Sequence, residues 1–190
     1  MTTPQDVLDF WFGAPGSPDY GRARTLWFEK SQVTDDAIRA HFGAAVEAAL
    51  QGAYGDWRKT PRGALALILL LDQFTRNVFR DTPRAFAGDA RALATAQALV
   101  ECGDDRSLTP YERQFAYLPF EHSEDRAAQE TSLRLFTQLA RDGVPEALEW
   151  ARKHYDVIAR FGRYPHRNAI LGRESTPEEL EFLQQPGSRF

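Results

Sequence analysis

Cysteine is almost missing from this chain, with Cys102 the only one in 190 residues. A single thiol excludes an intrachain disulfide and any CxxC metal or redox pair. Cys102 is followed by Gly103 with no histidine beside it, and no GxSxG elbow occurs, so a serine or cysteine nucleophile has no support. Long apolar runs are missing as well. The longest, Ala64–Leu71, has eight residues, far short of the roughly 20 that a membrane-spanning helix needs. The start, MTTPQDVLDFWFG, lacks the basic segment and cleavage site of a secretory signal. A soluble, cytoplasmic protein with no membrane partner is expected. Positive charge is in deficit: the net charge is −4 and the pI is near 5.6. That argues against nucleic acid as a partner, because phosphate neutralisation leaves a basic footprint. No stretch alternates apolar and polar residues as a half-buried strand would.

What the chain does have is core material and helix starts. A hydrophobic share of 43 %, with 13 Phe and 4 Trp, argues against disorder, and the length fits one domain over residues 1–190. Thr-Pro occurs five times, at Thr3-Pro4, Thr60-Pro61, Thr82-Pro83, Thr109-Pro110 and Thr176-Pro177. Threonine as cap with proline in the first helical position is a start signal. The predicted helices run over about Pro4–Phe12, Asp35–Gln51, Pro61–Phe79, Asp89–Glu101, Pro110–His122, Ser123–Arg141, Pro145–Phe161 and from Thr176 onward. Pro119 lies inside one of them and should kink it. Trp150, His154, Val157 and Phe161 are expected on one buried stripe.

Two stretches carry the candidate chemistry. Pro61–Phe79 is apolar on every side through Leu71, which marks a helix surrounded by others. It then turns polar at Asp72, Gln73, Arg76, Asn77 and Arg80. The second stretch, Arg160–Glu179, reads RFGRYPHRNAILGRESTPEE and puts Arg160, Arg163, His166, Arg167 and Arg173 within fourteen residues. Gly162 and Gly172 are turn signals, and Thr176 with Glu179 forms a capping box. Asp72 follows eight apolar residues and needs a partner if buried. The loop is therefore expected to pack against the polar end of the central helix.

LDQFTRN (Leu71–Asn77), FRDTPRAFAGD (Phe79–Asp89), YLPFEHSED (Tyr117–Asp125) and the Arg160–Glu179 block together resemble the signature blocks of a widespread uncharacterised bacterial family, domain of unknown function nine-two-four. The likeness covers nearly the whole chain. It implies an all-α, single-domain, TPR-like bundle of antiparallel helix pairs, about seven to nine helices, and it carries no activity with it.

Three functional readings follow from the residues. The first is a binding protein that takes a small anion or a peptide carboxylate between the central helix and the loop. Its contacts would be Asp72, Gln73, Arg76, Asn77, Arg80, Arg160, Arg163, His166, Arg167 and Asn168, since guanidinium forks suit carboxylate and phosphate. The competing account of the arginines is internal pairing with Asp72, Glu121, Glu124 and Asp125. The second reading is an enzyme using His122 or His166 as acid–base, with Glu124 as the companion carboxylate. A metal set of His122, His154 and His166 is its weaker variant, because no two histidines have ligand spacing in one helix. The third is a protein–protein scaffold, resting on analogy with TPR-like folds. No cofactor fingerprint is present and no cofactor is expected. The sequence carries no signal for a particular oligomeric state.

Overall fold

The computed structural model describes residues 1–188. In chain order the helices are α1 (Pro4–Phe12), α2 (Gln32–Leu50), α3 (Pro61–Ile68), α4 (Phe74–Val78), α5 (Asp89–Glu101), α6 (Pro110–His122), α7 (Arg126–Arg141), α8 (Glu146–Phe161), α9 (Asn168–Leu171) and α10 (Pro177–Phe182). No strand occurs among the described residues. A π-helical turn, Leu69–Gln73, joins α3 to α4 in one central helix. Counted with that rod as one, nine α-helices make up the described chain, and the all-α reading holds.

The caps explain why the helices begin where they do. Thr3, Thr60, Thr109 and Thr176 each accept a backbone N–H of the first turn, and Asp6, Glu112 and Glu179 close capping boxes. Thr82-Pro83 behaves differently and opens only a 3-10 turn, Pro83–Phe86. The Thr82 hydroxyl donates backward to the Phe79 carbonyl instead of capping forward. Helix α2 begins ahead of the expected Asp35 because Ser31 caps it, and α7 begins at Arg126 because Asp125 caps it.

Every residue from Gly63 to Thr75 is buried. Helices α1, α5 and α6 pack around α3, and α2 lies along α4. Aromatic rings fill the space between them: Phe74 sits 5.4 Å from Trp11 and 5.1 Å from Phe42, and Phe115 sits 5.0 Å from Trp27. Tilted and edge-on ring contacts of this kind add to the burial of area. Short links at 123–125 and 142–145 make α6, α7 and α8 consecutive antiparallel neighbours. Trp150 leaves its expected stripe and is half exposed, with the Lys153 ammonium 4.3 Å from its ring. The buried residues of α8 are Ala147, Ala151, His154, Val157 and Ile158, so His154 and Val157 stay on the stripe while Trp150 falls at its edge. No helix among the described residues is long and apolar enough to cross a membrane.

The π turn was not expected, and it shapes the site. Widening the helix moves a hydrogen bond from four residues to five and leaves carbonyls to be satisfied some other way. Here the Thr75 hydroxyl donates to the carbonyls of Leu71, at 2.8 Å, and Asp72, at 3.1 Å. The Arg76 guanidinium donates to the Asp72 carbonyl at 2.7 Å. Gly88, the cap of α5, lies directly against the Leu71 carbonyl, and a Cβ there would sit 2.0 Å from its oxygen.

Gly88→Ala should therefore destabilise the fold by roughly 1–3 kcal/mol through forced overpacking. Leu71→Ala should cost about 2–5 kcal/mol as a buried truncation. Urea denaturation measures both, and a change of a few tenths for Gly88→Ala would contradict the close approach.

Candidate functional site

Asp72 is fully buried at the C-terminal end of the π turn. Three groups hold it. His122, the last residue of α6, places Nδ1 2.7 Å from Asp72 Oδ1. Gln73 Nε2 donates to Oδ2 at 2.5 Å, and Arg76 Nη1 lies 3.1 Å from Oδ1. Burial pushes the Asp72 carboxyl up, but the Arg76 charge and the hydrogen bonds from His122 and Gln73 outweigh it and hold the group well below the carboxylate range. Burial, partly offset by Asp72, lowers His122, so its imidazole is neutral at physiological pH. A nitrogen this close to an ionised carboxylate carries the proton, so Nδ1–H donates to Asp72 and Nε2 keeps the lone pair. Nε2 makes no hydrogen bond among the described residues, and the side chain remains 15 % exposed.

Arg76 also grips Asp89, the first residue of α5, with two parallel hydrogen bonds of 2.9 and 3.1 Å. Arg167 approaches the same carboxylate from the loop, no nearer than 3.6 Å. Its guanidinium carbon lies 4.5 Å from the Tyr164 ring centre and 4.8 Å from that of Phe86. Arg76 is 5.7 Å from the same Phe86 ring. The basic loop and the polar end of the central helix therefore meet around Phe86 and Asp89. The Arg167 side chain is 9 % exposed, its Nε has no partner, and it makes no hydrogen bond among the described residues. Burial and then the neighbouring Arg76 charge lower its pKa, and a guanidinium stays charged regardless.

Behind these groups lies a buried set of rings. His122 and His154 have centroids 6.2 Å apart, His154 and Tyr164 5.6 Å, and Tyr164 and His166 5.5 Å. Burial first, then His122 and Arg167, pushes His154 down to about 3. Burial and Arg167 push His166 down to about 4. Glu121 Oε1 is 3.2 Å from His154 Nδ1, and Oε2 has no partner among the described residues. Burial and then the Asp72 charge raise the Glu121 carboxyl to about 8. Two neighbouring carboxyls are thus driven apart, one ionised and one protonated at neutral pH.

The remaining predicted site residues go elsewhere. Asn77 and Arg80 both bond to Asp35 of α2. Arg160 pairs with Glu178, and Arg163 makes a two-bond pair with Glu179 at 2.6 and 2.8 Å. Asn168 donates to Glu179 and accepts from Arg173. Glu124 accepts two bonds from Arg173 and one from the Tyr164 amide, so it serves as the anchor of the loop. Of the ten expected contacts, Asp72, Gln73, Arg76, His166 and Arg167 come together. Asp89, Phe86 and Tyr164 complete the cluster and were not singled out from sequence. Asp89 reads there as an ordinary acid at a helix start, and a phenylalanine or tyrosine gives no sign of facing an arginine. Among the described residues no three of His, Cys, Asp and Glu converge so as to hold a metal ion. An open groove of about 590 Å³ along α7, lined by Leu133, Arg134, Thr137, Gln138, Arg141 and Asp142, shares no residue with the cluster.

The model of a bacterial protein family of unknown function, DUF924, matches residues 7–187. The chain belongs to that family. A solved structure of a protein of unknown function from Agrobacterium tumefaciens is 40 % identical, with a TM-score of 0.84 over 95 % of this chain and 96 % of the other. No curated protein matches the chain.

The cluster makes stability depend on pH in opposite directions. His154 and His166, with folded values below the ordinary 6.5, contribute stability that is present above 6.5 and lost as the pH falls toward 4 and 3. Glu121, raised from 4.5 to about 8, contributes stability that is full below 4.5 and lost as the pH rises toward 8. Above pH 6.5 the Glu121 effect stands alone. Glu121→Gln should remove a loss on the order of 2 kcal/mol between pH 6.5 and 8. Urea unfolding of both proteins at the two pH values tests this, and parallel pH dependence would contradict it.

Proposed function

We propose that the chain binds a small anion, a carboxylate or phosphate group, where the loop meets the end of the central helix, with Arg167 as the anchor. The observation that carries this reading is the state of the Arg167 side chain. It is buried and charged, stacked near two rings, and has no hydrogen bond among the described residues. Its one ion-pair partner among the described residues, Asp89, stays at 3.6 Å and is shared with Arg76. Buried donors without hydrogen bonds are costly, and a bound anion would satisfy them with charge-assisted bonds. Arg76 adds positive potential near the same Phe86 ring. Neutral histidines add polar contacts without competing charge.

Arg80, Arg160 and Arg163 have no part in this reading, because each is bonded to a carboxylate outside the cluster, Asp35, Glu178 or Glu179. The TPR-like organisation remains an architectural proposal, supported by the way α5 to α8 pack as successive neighbours.

A ligand that binds only the folded state stabilises it by about 2.7 kcal/mol at a hundredfold excess over Kd. Phosphate, citrate and short carboxylates should therefore raise the melting temperature more than chloride does at matched ionic strength. Arg167→Met keeps the stem and its ring contacts but removes the charge, and it should abolish the difference while the protein still melts cooperatively. A wild type that responds equally to all these salts would refute the anion site.

A further inference from the structure

A histidine placed at the end of α6 merely to fill space would not need a fully buried carboxylate behind it. Burying Asp72 costs several kcal/mol unless it is well paired. The fold meets that cost with Arg76, Gln73 and a π turn that puts the carboxylate in line with His122 Nδ1. π turns recur at functional positions. Arg76 and Gln73 bind both oxygens of Asp72 and stop the carboxylate from rotating. The imidazole is thereby fixed in one tautomer; Nε2 makes no hydrogen bond among the described residues, and 15 % of the side chain stays exposed. His122 and Arg76 meet on Asp72, and Arg76 and Arg167 meet on Asp89, so the base and the anchor belong to one cluster.

We infer that His122 is a general base that removes a proton from a small acid bound at Arg167, at a carbon adjoining a carbonyl group. The inference rests on the anion-binding reading and adds a reaction to it. In the step, the C–H bond breaks and its proton bonds to His122 Nε2. The electron pair moves into the carbonyl as an enolate, whose negative charge lies in the field of Arg167 and Arg76. Return of the proton from Nε2 to the same or the neighbouring atom restores the neutral imidazole, so no oxidant, reductant or co-reactant is consumed. Asp72 is a positioning residue: it holds the tautomer and stabilises the imidazolium that forms.

Two measurements test this. Long-range proton–nitrogen NMR of the wild type should show His122 protonated on Nδ1 and bare on Nε2 at neutral pH; the opposite tautomer overturns the inference. In D2O, pyruvate, 2-oxobutyrate, 2-oxoglutarate and dihydroxyacetone phosphate supply carboxylate and phosphate handles beside exchangeable C–H bonds. At least one should lose its proton signal about 100-fold faster with wild type than with His122→Gln, the usual contribution of a positioned base. Asp72→Asn should slow exchange and shift its pH profile, an effect that a purely structural carboxylate would not have. An acid that raises the melting temperature through Arg167 but does not exchange overturns the base and leaves the binding reading intact. If no acid in the panel either stabilises or exchanges, both readings fall together.

Discussion

The carboxylate of Asp72, fully buried and held by His122, Gln73 and Arg76, is the interaction on which this structure turns. It stands where an unbroken apolar helix changes character, and it ties that helix to α6 through His122 and to α5 through the Arg76–Asp89 pair. Removing one partner of such a group is far costlier than the pair is stabilising, because the charge left behind has no solvent. The π turn, the Gly88 contact and the Thr75 back-bonds are the local adjustments that let the carboxylate sit there. Helix, loop and neighbouring histidines are therefore constrained by one charge.

A second ring of ion pairs holds the loop against this centre. Glu124 receives Arg173 and the Tyr164 amide, and Glu179 receives Arg163, Asn168 and the cap of α10. Tyr164 is fully buried and reaches the Glu121 carbonyl and Gln129 through its hydroxyl. With those arginines occupied, the loop presents Tyr164, His166 and Arg167 to the cluster. A rigid loop lowers the ordering cost of any ligand that meets it. It also leaves Arg167 in a setting where its charge is compensated by rings and by a single carboxylate at 3.6 Å.

Much of the scaffold was legible in the chain because its signals are local. A threonine cap, a proline at the first helical position and a glutamate three residues beyond the cap act within one turn, and four of the five Thr-Pro pairs open helices. The meeting of loop and central helix was expected because a carboxylate after eight apolar residues must find positive charge, but Asp72 finds it in Arg76 of its own helix and the loop's Arg167 meets Asp89 instead. Choice of partner was not legible. Arg163 and Arg167 are four residues apart with the same chemistry, yet one pairs with Glu179 and the other stacks near Tyr164 and Phe86. Nothing local separates them; the position of α10 does. The π turn was equally hidden, since the groups that meet its freed carbonyls are Thr75, Arg76 and the distant Gly88, and no breaker marks the Leu69–Gln73 stretch.

Arg167 has one carboxylate at 3.6 Å and no hydrogen bond among the described residues, whereas Arg80 and Arg163 are bonded to Asp35 and Glu179. Proton–nitrogen NMR of the arginine Nε–H groups reads this directly during a phosphate titration at constant ionic strength. The account predicts a saturable shift at Arg167, with Arg80 and Arg163 unmoved. A titration that moves Arg163 and Arg80 but leaves Arg167 unchanged would contradict it.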